Sequence, residues 1–345
     1  MIYFILYIYF LSLSVAQLVY KQKFKVITFF SMLLLVFLAG IRVNTGIDYL
    51  AYLDIWHAIA PLSKNSTFQM VAVEPGFVFL VSFIKLLTTK SLYFFLICAF
   101  LSIFPVYLGL KRMNIKYMFI SFFIYLLVFY LTYPFNGMRQ GIAMGIFIFS
   151  LPFIFEKKLL YVILLSVIAS LIHLTGLLII VAYLVTLYKI NIKQFFLVGF
   201  SLSIICLKLD LLGKLLFDVL GVSTVYITLF SESTSMFQIT TRVLLLFVLY
   251  YFREMIKNPI LDKLFIMYLV GFFIYISLFQ YNLLATRFNM FFRLLEIILV
   301  PILLEKTKNI ETRLALLFIF LIPSTYSFYT FLLVEENKYH YELNF

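Results

Sequence analysis

The sequence predicts an all-α, polytopic integral membrane protein of roughly 11–13 transmembrane or re-entrant helices. Three observations predict it. Of the 345 residues, 65% are hydrophobic and 12% charged, against about 45–50% and about 25% in an ordinary soluble domain. The apolar residues fall in runs of helical length, many of them close to the roughly 20 residues needed to cross a hydrocarbon core about 30 Å thick. These runs lack the strict alternation of a transmembrane β-barrel, so helices are the economical way to satisfy backbone groups in lipid. An ordinary soluble enzyme is excluded. A single membrane domain over residues 1–345 leaves no room for a sizeable soluble one.

The apolar runs lie at 2–19, 26–41, 75–88, 91–110, 117–135, 141–155, 159–172, 174–188, 194–209, 241–252, 264–282, 288–304 and 314–333. The first, Ile2 to Val19, has no basic residue ahead of it and no small-x-small cleavage pattern behind it, so it reads as a span that stays. Cys98 and Cys206 sit inside apolar runs and suggest neither a disulfide framework nor a thiolate metal site. No internal repeat is evident.

Lys+Arg number 27 against 15 Asp+Glu, a net charge of +12. In a chain of this composition the excess reports topology rather than nucleic-acid binding. Lys111, Arg112 and Lys116, then Lys157 and Lys158, then Lys189 and Lys193, bracket two pairs of runs whose turns carry Arg139 and His173. Lys193 and Arg253 bracket the segment 210–240, and Lys257/Lys263 with Lys306/Lys308/Arg313 bracket a pair turning near Arg287. With the basic turns cytoplasmic, the intervening turns share the external face. Lys21, Lys23 and Lys25 also read as cytoplasmic, yet three runs separate them from Lys111, so one run does not cross. The short 75–88 run is the one expected to dip in without crossing. The external loops are then 42–74, rich in charge, and 210–240, where Asp210, Lys214, Asp218 and Glu232 accompany a candidate for a helix lying on the membrane.

The residues able to carry chemistry cluster on that face. In Tyr133-Pro134-Phe135-Asn136-Gly137-Met138-Arg139-Gln140, proline and glycine break one helix and Asn136 is positioned to cap the next, which puts Arg139 in a first helical turn. A cation there opposes the helix dipole unless an anion such as a phosphate shares the site. The alternative is an interfacial arginine snorkelling to lipid headgroups. Asp48 follows a glycine turn and precedes Tyr52 by four residues, so a short helix puts both on one face. It could bind sugar hydroxyls or act as a base, or bridge locally to Arg42 and cap the helix. Glu74, before Pro75-Gly76, could act with it or complement a helix N-terminus. His173 is the polar break between two short runs, a proton carrier or a ring satisfied by a nearby carbonyl. His57, His173 and His340 lack metal-ligand spacing, so no metal site is expected. Arg287 and Arg293 add cations near the last external turn, and Arg293, deep in an apolar run, is expected to face the bundle interior.

Taken in order, Arg42-x3-Gly46-x-Asp48-Tyr49-x2-Tyr52, Glu74-Pro75-Gly76, Arg139-Gln140-x-x-Ala143 and His173 with Gly176 resemble the EpsG family of Wzy-like exopolysaccharide polymerases. The resemblance spans roughly residues 40–180; the Thr286-Arg287-Phe288-Asn289 region matches only loosely. It implies a GT-C-like or Wzy-like helical bundle in the bacterial cytoplasmic membrane, with its site facing the periplasm or outside. It implies a glycosyltransferase that polymerises repeat units carried on undecaprenyl pyrophosphate, without a cofactor, alongside membrane lipids, a flippase and a chain-length regulator. Asp48, Arg139, His173 and Glu74 would be the catalytic candidates, and Arg42, Tyr49, Tyr52, Gln140, Arg287 and Arg293 the substrate-binding ones. Competing readings are a flippase of lipid-linked sugars, for which matched inverted halves are expected and not seen, and a lipid-sugar ligase or sugar acyltransferase.

Overall fold

In the computed structural model, which describes residues 2–62, 73–219, 236–335 and 339–343, the apolar runs are helices and the polar breaks are turns. In chain order the elements are α1 (Ile2–Tyr20), α2 (Lys25–Gly40), β1 (Arg42–Val43), α3 (Tyr49–Ala58), α4 (Pro75–Leu87), α5 (Ser91–Arg112), α6 (Met118–Tyr125), α7 (Met138–Phe155), α8 (Leu159–Ile172), α9 (Leu178–Leu187), α10 (Ile192–Leu209), α11 (Leu211–Lys214), α12 (Met236–Ile256), α13 (Pro259–Ser277), α14 (Asn282–Arg293), α15 (Glu296–Lys306), α16 (Ile310–Leu333) and β2 (Glu342–Leu343). Among the described residues, six helices are long and apolar enough to cross a membrane and five shorter apolar helices accompany them. The chain is an all-α, polytopic membrane protein. Glu232, and with it residues 220–235 of the second long loop, lies outside the described residues, as do residues 63–72 of the first.

The chain divides into two compact units, Met1–Val181 with Val300–Phe345, and Ala182–Leu299. In the first unit α5 and α7 pack face to face. A Cβ on Gly109 would collide with the Ile148 carbonyl, and one on Gly145 would lie 2.6 Å from the Ser102 carbonyl. Such close backbone approach through small residues is how helices associate where no hydrophobic driving force separates lipid from protein. α2 lies against the start of α5, its Gly40 facing Leu96. In the second unit α13 packs on α10 and α14, with the Phe273 ring over Gly199.

The 42–62 segment is ordered over an aromatic core. Trp56, the only tryptophan of the chain, is 2% exposed and stacks on Phe94 at 5.4 Å. Tyr49 stacks on Phe95 at 4.7 Å and Tyr52 meets Phe77 edge-on at 6.1 Å. These rings seat α3 on α4 and α5, each contact adding about 0.5–1.5 kcal/mol beyond burial. α4 has 13 residues and rises about 20 Å. It begins at Glu74, beside Arg139, and ends against the stretch after α3, where Lys85 donates to the Ile59 carbonyl and lies 4.9 Å over the Trp56 ring. Both its ends therefore lie against the 42–62 segment and the residues that segment touches.

Several boundaries differ from those read in the sequence: the runs read at 241–252 and 264–282 are helices over Met236–Ile256 and Pro259–Ser277, and three further differences have a local cause. The run 117–135 leaves the helix at Tyr130, after a wider π-type turn over Leu126–Tyr130, because the turn before Pro134 and Gly137 already begins at Leu131. The run 288–304 is two helices, α14 and α15, broken between Arg293 and Glu296. Asn136 does not cap α7: Gly137 stands at the cap position without a side-chain bond, and the Asn136 amide is used elsewhere.

Candidate active site

The site grows from the end of α2. Arg42 is 1% exposed. Its Nη1 donates to the Ala39 carbonyl, Nε to the Thr45 carbonyl at 3.3 Å, and Nη2 to the Phe135 carbonyl at 2.8 Å and Met138 Sδ at 3.5 Å. The guanidinium lies between the Phe95 and Phe135 rings, 4.9 Å from each centroid. Burial lowers its proton affinity, though arginine keeps its charge in proteins. The local bridge to Asp48 considered from sequence is not how this cation is held. Three carbonyls and two rings hold it, and it clamps the 39–45 turn to the 131–138 turn.

Asn136 provides the second clamp. Its Oδ1 accepts the Asp48 N–H at 3.3 Å, and its Nδ2 donates to the Leu131 carbonyl at 3.0 Å and to the Tyr339 hydroxyl. Gly46 makes this possible, because at φ +98° an L side chain is strained and a Cβ there would lie 2.6 Å from Asn136 Oδ1. The C-terminal tail closes the arrangement. β2 pairs antiparallel with β1, Arg42 opposite Leu343. Tyr339 donates to the Leu131 carbonyl at 2.9 Å, and Tyr341 to the Leu38 carbonyl at 2.6 Å. Burial pushes the Tyr341 hydroxyl up to about 12 and raises that of Tyr339 as well.

Arg139 stands in the first turn of α7, as the sequence predicts. The anion that accompanies it is Glu74: Arg139 Nη1 and Glu74 Oε2 form an ion pair, with both side chains 23% exposed. Glu74 precedes α4 but makes no side-chain cap to it, so its carboxylate serves α7 rather than its own helix. Tyr52 completes the triad. Its hydroxyl accepts the Arg139 backbone N–H at 3.4 Å and also bonds the guanidinium; burial raises its pKa, which keeps the hydroxyl protonated. One donor of Arg139, Nε, is buried without a hydrogen-bond partner. A buried unsatisfied donor costs about 1–3 kcal/mol, which an acceptor at this point would recover.

Asp48 is half-buried and opens α3, its carbonyl accepting the Tyr52 N–H at 3.0 Å. Gln140 is buried one residue beyond Arg139. His173 ends α8 and caps the following single turn: its Nδ1 accepts from the Thr175 N–H at 3.3 Å and lies 2.8 Å from Thr175 Oγ1. With Nδ1 accepting, the neutral ring carries its proton on Nε2. Gly76 brings this corner to Glu74, since a Cβ there would lie 2.7 Å from the Leu171 carbonyl, two residues before His173. Arg42, Asp48, Tyr49, Tyr52, Glu74, Arg139, Gln140 and His173 thus belong to one end of the first unit.

Arg287 and Arg293 belong to the second unit. Arg287 is half-buried on α14. Arg293, with 12% of its side chain exposed, bonds both oxygens of Glu296, at 2.7 and 3.3 Å. Glu296 also accepts from Tyr268 at 2.9 Å. Beside them Arg242 donates to Asn289 Oδ1 at 2.9 Å and lies 4.4 Å over the Tyr275 ring. The sequence reading missed Glu296 and Arg242. The signal for Glu296 was present, an acid three residues after a cation inside an apolar run. Tyr339 and Tyr341 were also missed, although their alternation is that of a strand.

A multi-pass helical membrane protein whose ordered loops gather an arginine–carboxylate pair, a second carboxylate, tyrosines and a histidine at one end is the class that fold and site define. The chain belongs to the EpsG family, whose sequence profile matches residues 25–344. That is a family of Wzy-like polysaccharide polymerases, which gives the chain a glycosyltransferase-like polymerase role on lipid-linked polysaccharide at a membrane. No curated protein and no solved structure matches the chain.

Proposed function

We propose that this protein joins oligosaccharide repeat units carried on undecaprenyl pyrophosphate into a surface polysaccharide, at the outer leaflet of the bacterial cytoplasmic membrane. The observation that carries the reading is Arg139: a cation at a helix N-terminus with one buried donor unbonded and another held by Glu74. A hydroxyl of the incoming unit attacks the anomeric carbon of the growing chain. The new carbon–oxygen bond forms as the bond from that carbon to the pyrophosphate oxygen breaks, and lipid pyrophosphate leaves with the electron pair. Its oxygens compete with Glu74 for Arg139 and reach the unbonded Nε, a preorganised donor where charge develops. The hydroxyl proton passes to Asp48, with Glu74 as the other acceptor at this end, while His173, its Nδ1 taken by Thr175, offers its Nε2–H to a developing oxyanion. Tyr52 orients Arg139, Tyr49 and Gln140 support the site from the packed interior beneath it, and Arg42 acts at one remove by clamping the turns. A flippase would deliver the units and a chain-length regulator would set the product.

The test is the surface-polysaccharide ladder of a deletion strain complemented with wild type or Arg139→Ala at matched expression. Single repeat units on deletion, and no ladder with the variant, are expected. If no units reach the outer face, transport is the better reading, and if polymer persists unattached, ligation is. Reporter fusions after residues 139 and 173 should report the same external side, and opposite sides would overturn the site.

A further inference from the structure

At the other end of α2 and α5, away from Arg42 and Phe95, lies a cleft of about 460 Å³ lined by Lys23, Lys25, Phe29, Tyr107, Lys111 and Asn114 among others. No carboxylate is among its lining residues. Lys23 donates to Asn114 Oδ1 at 3.2 Å, and Lys111 lies 5.9 Å over the Tyr107 ring. α2 enters this cleft without a side-chain cap and without an acid in its first turn. Lys23 and Lys25 therefore gather at the positive end of the α2 dipole, each costing about 0.3–1 kcal/mol until an anion joins them, and Lys111, from the last turn of α5, brings a third ammonium to the cleft.

The walls decide what carries that anion. From Val26 an exposed apolar stripe runs along α2 through Phe30, Leu34 and Phe37, at the i, i+4, i+8, i+11 spacing of one helix face. The 16 residues of α2 rise about 24 Å, close to the depth of a hydrocarbon core. With the Arg42 end at one membrane surface, the cleft sits at headgroup level on the other. We propose that this cleft is a binding site for a phosphate group carried by an anionic phospholipid, the phosphate held by Lys23, Lys25 and Lys111 and an acyl chain lying along the α2 stripe.

The test uses the full-length protein in detergent, titrated with phosphatidylglycerol, phosphatidylcholine or glycerol phosphate and read by native mass spectrometry. The three lysines are exposed, so K23Q/K25Q/K111Q leaves packing intact. At about fivefold per lysine near a membrane surface, the triple variant should bind phosphatidylglycerol on the order of 100-fold more weakly. K189Q/K193Q/K208Q, which removes three charges elsewhere, should bind as wild type does. Equal loss in both variants, or equal binding of phosphatidylcholine by wild type, would overturn the site. Glycerol phosphate that competes as well as the lipid would overturn the lipid as the source of the phosphate.

Discussion

Gly46→Ala should damage this protein more than one added methyl in a loop suggests, and the geometry says by how much. At φ +98° an alanine is strained, by about 1–3 kcal/mol. The new Cβ would stand 2.6 Å from Asn136 Oδ1, so the amide must move and release the Asp48 N–H it accepts at 3.3 Å. That bond is worth about 1 kcal/mol, which brings the total to about 2–4 kcal/mol. The two contributions separate in an Asn136→Ala background, where the obstructing oxygen is gone and Gly46→Ala should cost only the backbone strain. Cys98 is fully buried, so in a Cys206→Ser protein the reaction of Cys98 with a thiol-reactive fluorophore reports thermal unfolding. Polymer synthesis should fall with stability, because Asp48 shifts, and a displacement of about 1 Å at a reacting group can cost about 100-fold in rate. An identical cost of Gly46→Ala in both backgrounds would refute the claim that Asn136 is what the glycine accommodates. A cost below about 0.5 kcal/mol would refute the strained turn itself.

Three further outcomes are expected. The charge swap Glu74→Arg with Arg139→Glu should recover part of the roughly 1–3 kcal/mol lost by either single change, since the pair is only 23% exposed on each side, while the polymer ladder stays absent because the cation has left α7. Tyr341, pushed up to about 12 by burial, keeps its proton in the folded tail above the ordinary value of about 10. Stability should therefore decline as pH rises from about 10 through 12, and Tyr341→Phe should remove that part of the thermal-unfolding pH profile while costing about 1 kcal/mol for the bond to Leu38. Glu296→Ala leaves Arg293 buried without its carboxylate and should cost about 3–5 kcal/mol in the same unfolding assay, with Arg293→Met in the same chain restoring much of it.

Arg139 and Glu74 illustrate how far the candidate site was legible. Proline and glycine before Arg139 mark a helix start, and a cation there calls for an anion, so the need for a partner could be read from the sequence. That the partner is Glu74, 65 residues away in sequence, could not, because ion pairs across helices depend on which ends meet. Asn136 shows the reverse error. Its local pattern suits an N-cap, but Asp48, Leu131 and Tyr339 compete for the amide and win. Local propensity is a weak prior wherever tertiary partners reach the same group. The split at Arg293 and Glu296 hid inside an apolar run for the same reason, since hydropathy does not register a buried ion pair.

That this chain is a helical membrane protein, where most of its helices lie, and which residues stand out as charged or kinked within them could all be read along the sequence. Those properties follow from local composition and from lipid's inability to satisfy free backbone groups. Its ordered motifs also sufficed to place it beside a polymerase family. The roles of Arg42 as a buried clamp, of the C-terminal tyrosines as a seal on the turn beneath Asp48, and of Glu74 as the answer to Arg139 came only from the folded chain. Each depends on contacts between residues far apart in the sequence, and such contacts are set by packing geometry rather than by any local pattern.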